Sequence, residues 1–242
     1  MKNKIFSWKG LKFNIYNKNV YPPKPASLLL ADAAIKIIKP KEKILDVCTG
    51  SGIAAIAVAK FVHNVEVFAS DINSEALSVT KENAKLNKVK VKMVLSDLYE
   101  KFYDEEFDTI VIHPPAVPYP PNKDWNMPKG MKIATNGGID GSELVVRSIV
   151  EAKRCLKKNG KLLLLLPHWS NIKKAYEALQ MNYAKISELA TLNVDFFPAI
   201  EYDVDNKVLE HAFRLAKKRI IKIKFKNNKP YSMVSVVQAI KK

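Results

Sequence analysis

The apolar run of strand type Thr109 to Ile112 stops at His113, and Pro114 and Pro115 follow at once. A neutral histidine ring accepts a hydrogen bond through one nitrogen and donates through the other, and it titrates near neutral pH. Prolines fix φ, remove a competing N–H donor and leave carbonyls free to accept. Such a group suits the holding of a protic acceptor, or the removal of its proton. Taken alone, a strand-end histidine bonded to nearby backbone explains the same letters better.

A second set of residues changes that balance. In LDVCTGSG, Asp46 precedes a turn containing Gly50 and Gly52, where backbone can approach a ligand closely. The run EVFASD ends at Asp71, and VKMVLSD ends at Asp97. In open α/β sheets, ligands bind beyond the carboxyl ends of the strands. A carboxylate at Asp71 can accept two hydrogen bonds from a ribose diol, and one at Asp97 can accept from an amino group such as adenine N6. A dinucleotide fingerprint would have its third glycine where Ala55 stands, a tolerated variant in some such sites, and a P-loop is excluded because no Gly-Lys-Ser/Thr follows the turn.

The elements that must position these residues alternate in type. Strands are expected at 43–48, 66–71, 91–97, 108–113 and 161–167, with helices over IAAIAVAKF, 74–87, a stretch ending at Gly160, and SNIKKAYEALQ. On the second helix, Ala76, Leu77, Ala84 and Leu86 are expected on the buried side. That rhythm implies a parallel sheet covered on both faces. After Tyr183 come an expected strand, a helix over 206–219 and a hairpin turning at NNKP; another short hairpin is expected over 4–16. The chain reads as one domain over 1–242: a leading segment (1–42), a core (43–182) and a sheet-completing antiparallel tail (183–242). The long loop Pro114–Gly141 is expected to make substrate contacts.

Net charge is +16, yet residues 1–43 carry +8 and 206–242 carry +10, leaving −2 for the middle. Two basic ends on a near-neutral body suit either plain solubility or an acidic partner such as RNA. No apolar run approaches bilayer length, and the basic N-terminus lacks an apolar signal segment, so a cytoplasmic protein with no membrane partner is expected. Cys48 and Cys155 form no framework, and no metal spacing occurs among His63, His168 and His211.

ILDVCTGSGIAAIAVA resembles the cofactor motif of class I S-adenosylmethionine-dependent methyltransferases, and VFASDINSEALSVTKENAKLN and LSDLYE look like their next two motifs. FDTIVIHPP stands in the place of the Asn-Pro-Pro-Tyr motif. NGGIDGSELVVRSIVEAKRCLKKNGKLLLLLP is similar to the segment that follows it in release-factor glutamine methyltransferases, and VYPPKPASLLLADAAIKII resembles a leading segment of the archaeal–eukaryotic branch. The resemblance covers about residues 20–170. It implies a Rossmann-like, doubly wound, mostly parallel seven-stranded sheet with an antiparallel C-terminal edge. It implies S-adenosylmethionine as cofactor, contacted by Asp46, Thr49, Gly50, Ser51, Gly52, Asp71, Ile72, Asp97, Leu98 and His113, with His113, Pro114 and Pro115 as catalytic residues.

In that family the asparagine and a proline-segment carbonyl orient a planar amide or amine, and an aromatic residue stacks on it. Here His113 replaces the asparagine, Ala116 the aromatic residue and Cys48 the first motif glycine, while Pro22 and Lys24–Ser27 lack the usual acidic positions. Tyr119 or Trp125 would be the substitute stacking platforms. Cys48 is expected to be a small buried residue rather than a nucleophile. The resemblance points to a protein glutamine in a release-factor-like substrate, with RNA or a small molecule as alternatives, and to a small activator subunit as partner. A non-catalytic RNA-binding module is the rival from another class; the retained acidic and glycine set speaks against it.

Overall fold

A computed structural model describes residues 4–121, 127–196 and 207–242. The chain opens with a hairpin of β1 (Ile5–Trp8) and β2 (Leu11–Asn14), then α1 (Pro25–Ile37). The core follows as β3 (Lys43–Val47), α2 (Ile53–Phe61), β4 (Glu66–Asp71), α3 (Ser74–Leu86), β5 (Lys92–Leu95) and β6 (Phe107–Ile112). Next come α4 (Lys129–Thr135), α5 (Glu143–Cys155), β7 (Leu156–Pro167) and α6 (Ile172–Asn182). The tail is β8 (Tyr183–Asp195), α7 (Lys207–Lys217), β9 (Lys224–Lys226) and β10 (Lys229–Lys241).

The main sheet has the order β5-β4-β3-β6-β7-β10-β8, with β9 added to β10. Strands β5 to β7 are parallel, and β10 runs antiparallel to both β7 and β8. Seven strands were expected; the eighth is the short β9, because the basic hairpin at NNKP lies in the same sheet. Its turn residues Asn227 and Asn228 both have positive φ, 49° and 59°, as a tight two-residue hairpin requires.

The sheet is buried on both faces. Ile44, Val111, Leu163 and Leu165 face α1 and α2, while Leu45, Ile110, Ile112, Leu162, Leu164 and Leu166 face α5 and α6. A strand covered on both sides has no polar alternation to keep, which is why KLLLLLP reads as one apolar run.

Two local expectations are corrected. The helix expected to reach Gly160 ends at Cys155, and Leu156 already pairs with Phe107 of β6. Gly160 lies inside β7, where a Cβ would stand 2.8 Å from the Lys157 carbonyl; glycine there meets a close approach rather than capping a helix. On α3, Leu86 is 42% exposed, and the buried face is Ala76, Val79, Thr80, Asn83 and Ala84. Polar members of that face have work to do. Asn83 and Asn87 accept from the backbone N–H groups of Asn14 and Lys12 at 2.7 and 2.9 Å, so α3 anchors the leading hairpin.

Candidate active site

At the carboxyl ends of β3, β4 and β6 lies a cavity of about 590 Å³, in the size range of small-molecule sites. The strand order reverses between β3 and β6, so the cavity sits at the switch point of the sheet. Asp46, Thr49, Gly50, Ser51, Asp71, Ile72, Asp97, Leu98, His113, Pro114 and Pro115 all line it.

Gly52 does not line it. Its φ is +83°, and a Cβ there would come 2.8 Å from Thr80 Cγ2 and 3.0 Å from Ile56 Cδ1. The glycine is needed behind the turn, for helix packing, rather than toward a ligand. Gly50 and Cys48 also have positive φ, +55° and +56°, so Cys48 adopts the left-handed conformation at the place of a family glycine. Burial holds its thiol well above the usual value, which keeps it protonated and a poor nucleophile.

The acidic strand ends first serve the turn itself. Asp46 is buried and accepts from Thr49 Oγ1 at 2.7 Å and from Ala55 N–H at 3.1 Å. Burial raises its pKa to about 7, against those two hydrogen bonds. Asp71 accepts from Gly50 N–H at 3.0 Å through Oδ2 and from Asn73 N–H at 2.9 Å through Oδ1; burial raises its pKa as well. Both Asp46 bonds fall on Oδ2, whereas Asp71 takes one on each oxygen and keeps acceptor positions for a ligand, since a carboxylate offers about four.

Asp97 has a partner that local sequence pattern did not reveal. Arg147 on α5 donates through Nη1 to both Asp97 oxygens at 3.0 Å, and through Nε to Glu151 at 2.7 Å. Arg147 lines the cavity too. The signal was a lone arginine beside an acid one helical turn away; its second acid lies fifty positions upstream and only the fold brings it near.

His113 is half-buried at the cavity wall, and no described residue hydrogen-bonds either ring nitrogen. Burial lowers its pKa from 6.5 to about 4, so the ring is neutral at physiological pH. Tyr21 stands against it edge-on. With Asn19, Val20 and Pro22, Tyr21 lines the cavity from the leading segment, which is held down by the Asn73 Nδ2–Asn19 carbonyl bond of 2.9 Å.

The loop after the prolines returns to the cavity as α4, from which Lys129, Lys132 and Ile133 line it. Gly130 packs on Asn19; a Cβ would stand 2.0 Å from the Asn19 carbonyl oxygen. The Gly-Gly-Ile-Asp-Gly stretch seats on Ala116: a Cβ on Gly137 would come 2.6 Å from Ala116 Cα, and one on Gly141 2.4 Å from its carbonyl oxygen. Asp140 ties that stretch to α6 through Asn171 and Lys174, and these bonds hold its carboxyl down at about 2 despite burial. Tyr119 is buried away from the cavity, its hydroxyl 2.7 Å from Thr135 Oγ1, so it offers no stacking platform there. Trp125 lies outside the described residues. His168 bonds Ser235 and His211 bonds the Ile139 carbonyl; neither faces the cavity.

The methyltransferase small domain model matches residues 24–119. A Methanocaldococcus jannaschii protein, named provisionally as a protein N5-glutamine methyltransferase, is 32% identical over 192 residues, covering 79% of this chain and 94% of that one. This chain belongs to the methyltransferase small domain family. The methyltransferase is also 35% identical to the release factor glutamine methyltransferase of Clostridium acetobutylicum, over 62% of its own length and 56% of the relative's. It is 31% identical to the ribosomal protein uL3 glutamine methyltransferase of Francisella tularensis, over 64% and 52%. It thus spans about half of those bacterial relatives. Among solved structures, a precorrin-6Y C5,15-methyltransferase from Geobacter metallireducens aligns with a TM-score of 0.57 at 17% identity, over 95% of this chain and 94% of that one. The Methanocaldococcus jannaschii tRNA m1G37 methyltransferase aligns with a TM-score of 0.58 at 16% identity, over 98% and 56%. Both share the fold. The methyltransferase is an S-adenosylmethionine-dependent enzyme of the α/β type, and no described helix is long and apolar enough to cross a membrane.

Proposed function

We propose that this methyltransferase methylates the side-chain amide nitrogen of a protein glutamine. The carrying observation is the unpartnered, neutral His113 ring beside Pro114 and Pro115 at the cavity wall. The names of three relatives, all glutamine methyltransferases, support the acceptor class.

The cavity fits S-adenosylmethionine in the chemistry of its donor set: a glycine turn of positive φ and two strand-end carboxylates with acceptor capacity left over. Asp71 would hold the ribose hydroxyls, with Ile72 beside it. Asp97 and Leu98 would meet the adenine. Thr49, Gly50 and Ser51 would approach the amino-acid end, with Asp46 behind them fixing the turn. When bound, the cofactor supplies a methyl group on a sulfonium, already activated toward a nucleophile.

The residues around His113 then have an orienting task. The amide N–H donates to the accepting ring nitrogen, and a carbonyl of the Pro114–Pro115 segment takes the other N–H. This leaves the nitrogen aimed into the cavity. Held in this way, the nitrogen would take the methyl group that the bound cofactor supplies and would give up one of its protons to solvent water, since His113 at about 4 does not retain it at neutral pH. A histidine pushed down to about 4 accepts hydrogen bonds well at neutral pH but is a weak proton acceptor, which favours orientation over general-base catalysis. Tyr21 supplies an aromatic ring at the acceptor wall, where Ala116 has none.

The test is to incubate the enzyme with methyl-labelled S-adenosylmethionine and ribosomal and release-factor protein fractions. Label released as methylamine on acid hydrolysis of protein is expected. Label confined to RNA nucleosides or to small molecules would refute the glutamine reading.

A further inference from the structure

We infer that the β9–β10 hairpin and the adjoining end of α7 form an RNA-docking ridge beside the active-site cavity. The register places it there. β10 pairs Val234 with Pro167, the last residue of β7, so residues before Val234 run past the carboxyl end of β7. Tyr231 pairs with Asp195 of β8 on one side and with Lys224 of β9 on the other. β9 therefore stands end-on beyond β7, at the edge of the sheet where the cavity opens. Lys222 N–H donates to the His168 carbonyl at 2.7 Å, and the neighbours Pro167 and Trp169 are cavity-wall residues.

The ridge is exposed and unneutralised. All seven lysines and arginines from Lys217 to Lys229 are exposed, and no Asp or Glu occurs from His211 to Lys242. Some lysines elsewhere find carboxylates: Lys92 with Glu66, Lys157 with Asp108, Lys161 with Glu42, Lys174 with Asp140. Among the described residues none of the seven has an ion pair, and the carboxylate nearest by register is Asp195. Uncompensated like charges repel one another, and a polyanion relieves that repulsion.

Phe225 separates ridge and plain basic surface. It is 59% exposed between Lys224 and Lys226, with its ring leaning on Phe213 at 5.3 Å. An exposed aromatic among cations is what a single-stranded nucleic acid uses, base on ring and phosphate on lysine. Stable insertion into a lipid surface would need an apolar helix face as well as the cations. That of α7 is occupied by the core, with Val208, Ala212 and Leu215 buried. The ridge lies outside the cavity, so the inference does not depend on which acceptor is methylated.

The experiment measures binding of the full chain to a uridine oligonucleotide of about 20 residues by fluorescence anisotropy, at about 50 and 200 mM salt. Replacing Lys222, Lys224, Lys226 and Lys229 by Gln is expected to lower affinity at least about thirtyfold at the lower salt. It should also flatten the slope of log affinity against log salt by up to about 3, near 0.7 per lost phosphate contact. Phe225→Leu should cost about tenfold. A charge-matched control, Lys81, Lys85, Lys88 and Lys90 to Gln, should stay within about twofold, since diffuse attraction alone would weaken both variants alike. The inference fails if the parent chain binds no RNA at the lower salt, or if the ridge and control variants weaken equally. It also fails if phosphatidylserine vesicles are bound more tightly than the oligonucleotide.

Discussion

The ring of Tyr21 meets the ring of His113 edge to face, with centroids 6.2 Å apart and planes at 86°. The leading segment thereby closes one side of the histidine and helps keep water from it. Tyr21→Ala should open that side. The His113 pKa is expected to rise from about 4 toward 6.5, followed by NMR of the ring protons. No movement would mean that other walls of the cavity desolvate the ring.

His113 also links pH to stability. Its folded pKa is about 4 against 6.5 unfolded, so between those values the unfolded chain binds more protons. Stability is thus present above 6.5 and lost as pH falls toward 4. From pH 7 to 5 the parent should lose at most about 2 kcal/mol more than His113→Asn, read from urea midpoints. His113→Asn should also keep substantial turnover, because an amide oxygen can do the orienting, whereas His113→Ala should not.

Asp46 is half-protonated near neutrality, with a pKa of about 7 raised by burial. A cationic cofactor beside it favours the ionised form. S-adenosylmethionine binding should therefore release protons at pH 6 and strengthen with rising pH, by at most about tenfold per unit below the pKa. Calorimetry in buffers of different ionisation enthalpy reads the protons directly. Asp46→Asn should abolish the release; an unchanged proton count in that variant would move the linkage to another group.

Arg147 is a positioning residue for Asp97. Arg147→Met should leave Asp97 unheld and weaken S-adenosylmethionine binding about tenfold, as loss of a charged hydrogen bond does. It should weaken the inosine analogue, which lacks the N6 amine, much less. Equal weakening of both ligands would make the arginine merely structural.

Gly52 and Cys48 make a matched pair at positive φ. Gly52→Ala adds a Cβ 2.8 Å from Thr80 at φ +83°, and should destabilise by at least about 1–2 kcal/mol in thermal unfolding. Cys48→Gly removes a left-handed non-glycine residue at φ +56° and should be neutral or stabilising by less than about 1 kcal/mol.

Local pattern brought out Asp46, Gly50, Asp71 and Asp97 because each lies in or just after the last residues of a strand, and strand ends are written in consecutive residues. The leading hairpin, too, announces itself at Lys9-Gly10, where both residues have positive φ. Arg147 was not legible, since its bond to Asp97 spans fifty residues and depends on how α5 crosses the sheet. Nor was α4 within the proline-rich loop: seven residues with an internal glycine carry no periodicity. Gly52 was legible as a glycine that must be there, but its packing against Thr80 is known only once α3 is in place.

The insertion of β10 between β7 and β8 has a consequence for how the chain is made. β7 and β8 never touch in the sheet, although only α6 separates them in sequence. During vectorial synthesis both emerge before β10, so the apolar edge of β7 waits open while more than sixty residues follow Pro167. An unpaired strand edge of that kind invites association between chains. Six of the seven basic residues of the ridge, Lys217 to Lys226, emerge before the closing strand and would bring positive charge to the carboxyl end of that edge. The same cations inferred to hold RNA in the finished enzyme would then keep nascent copies apart until the last strand slides in.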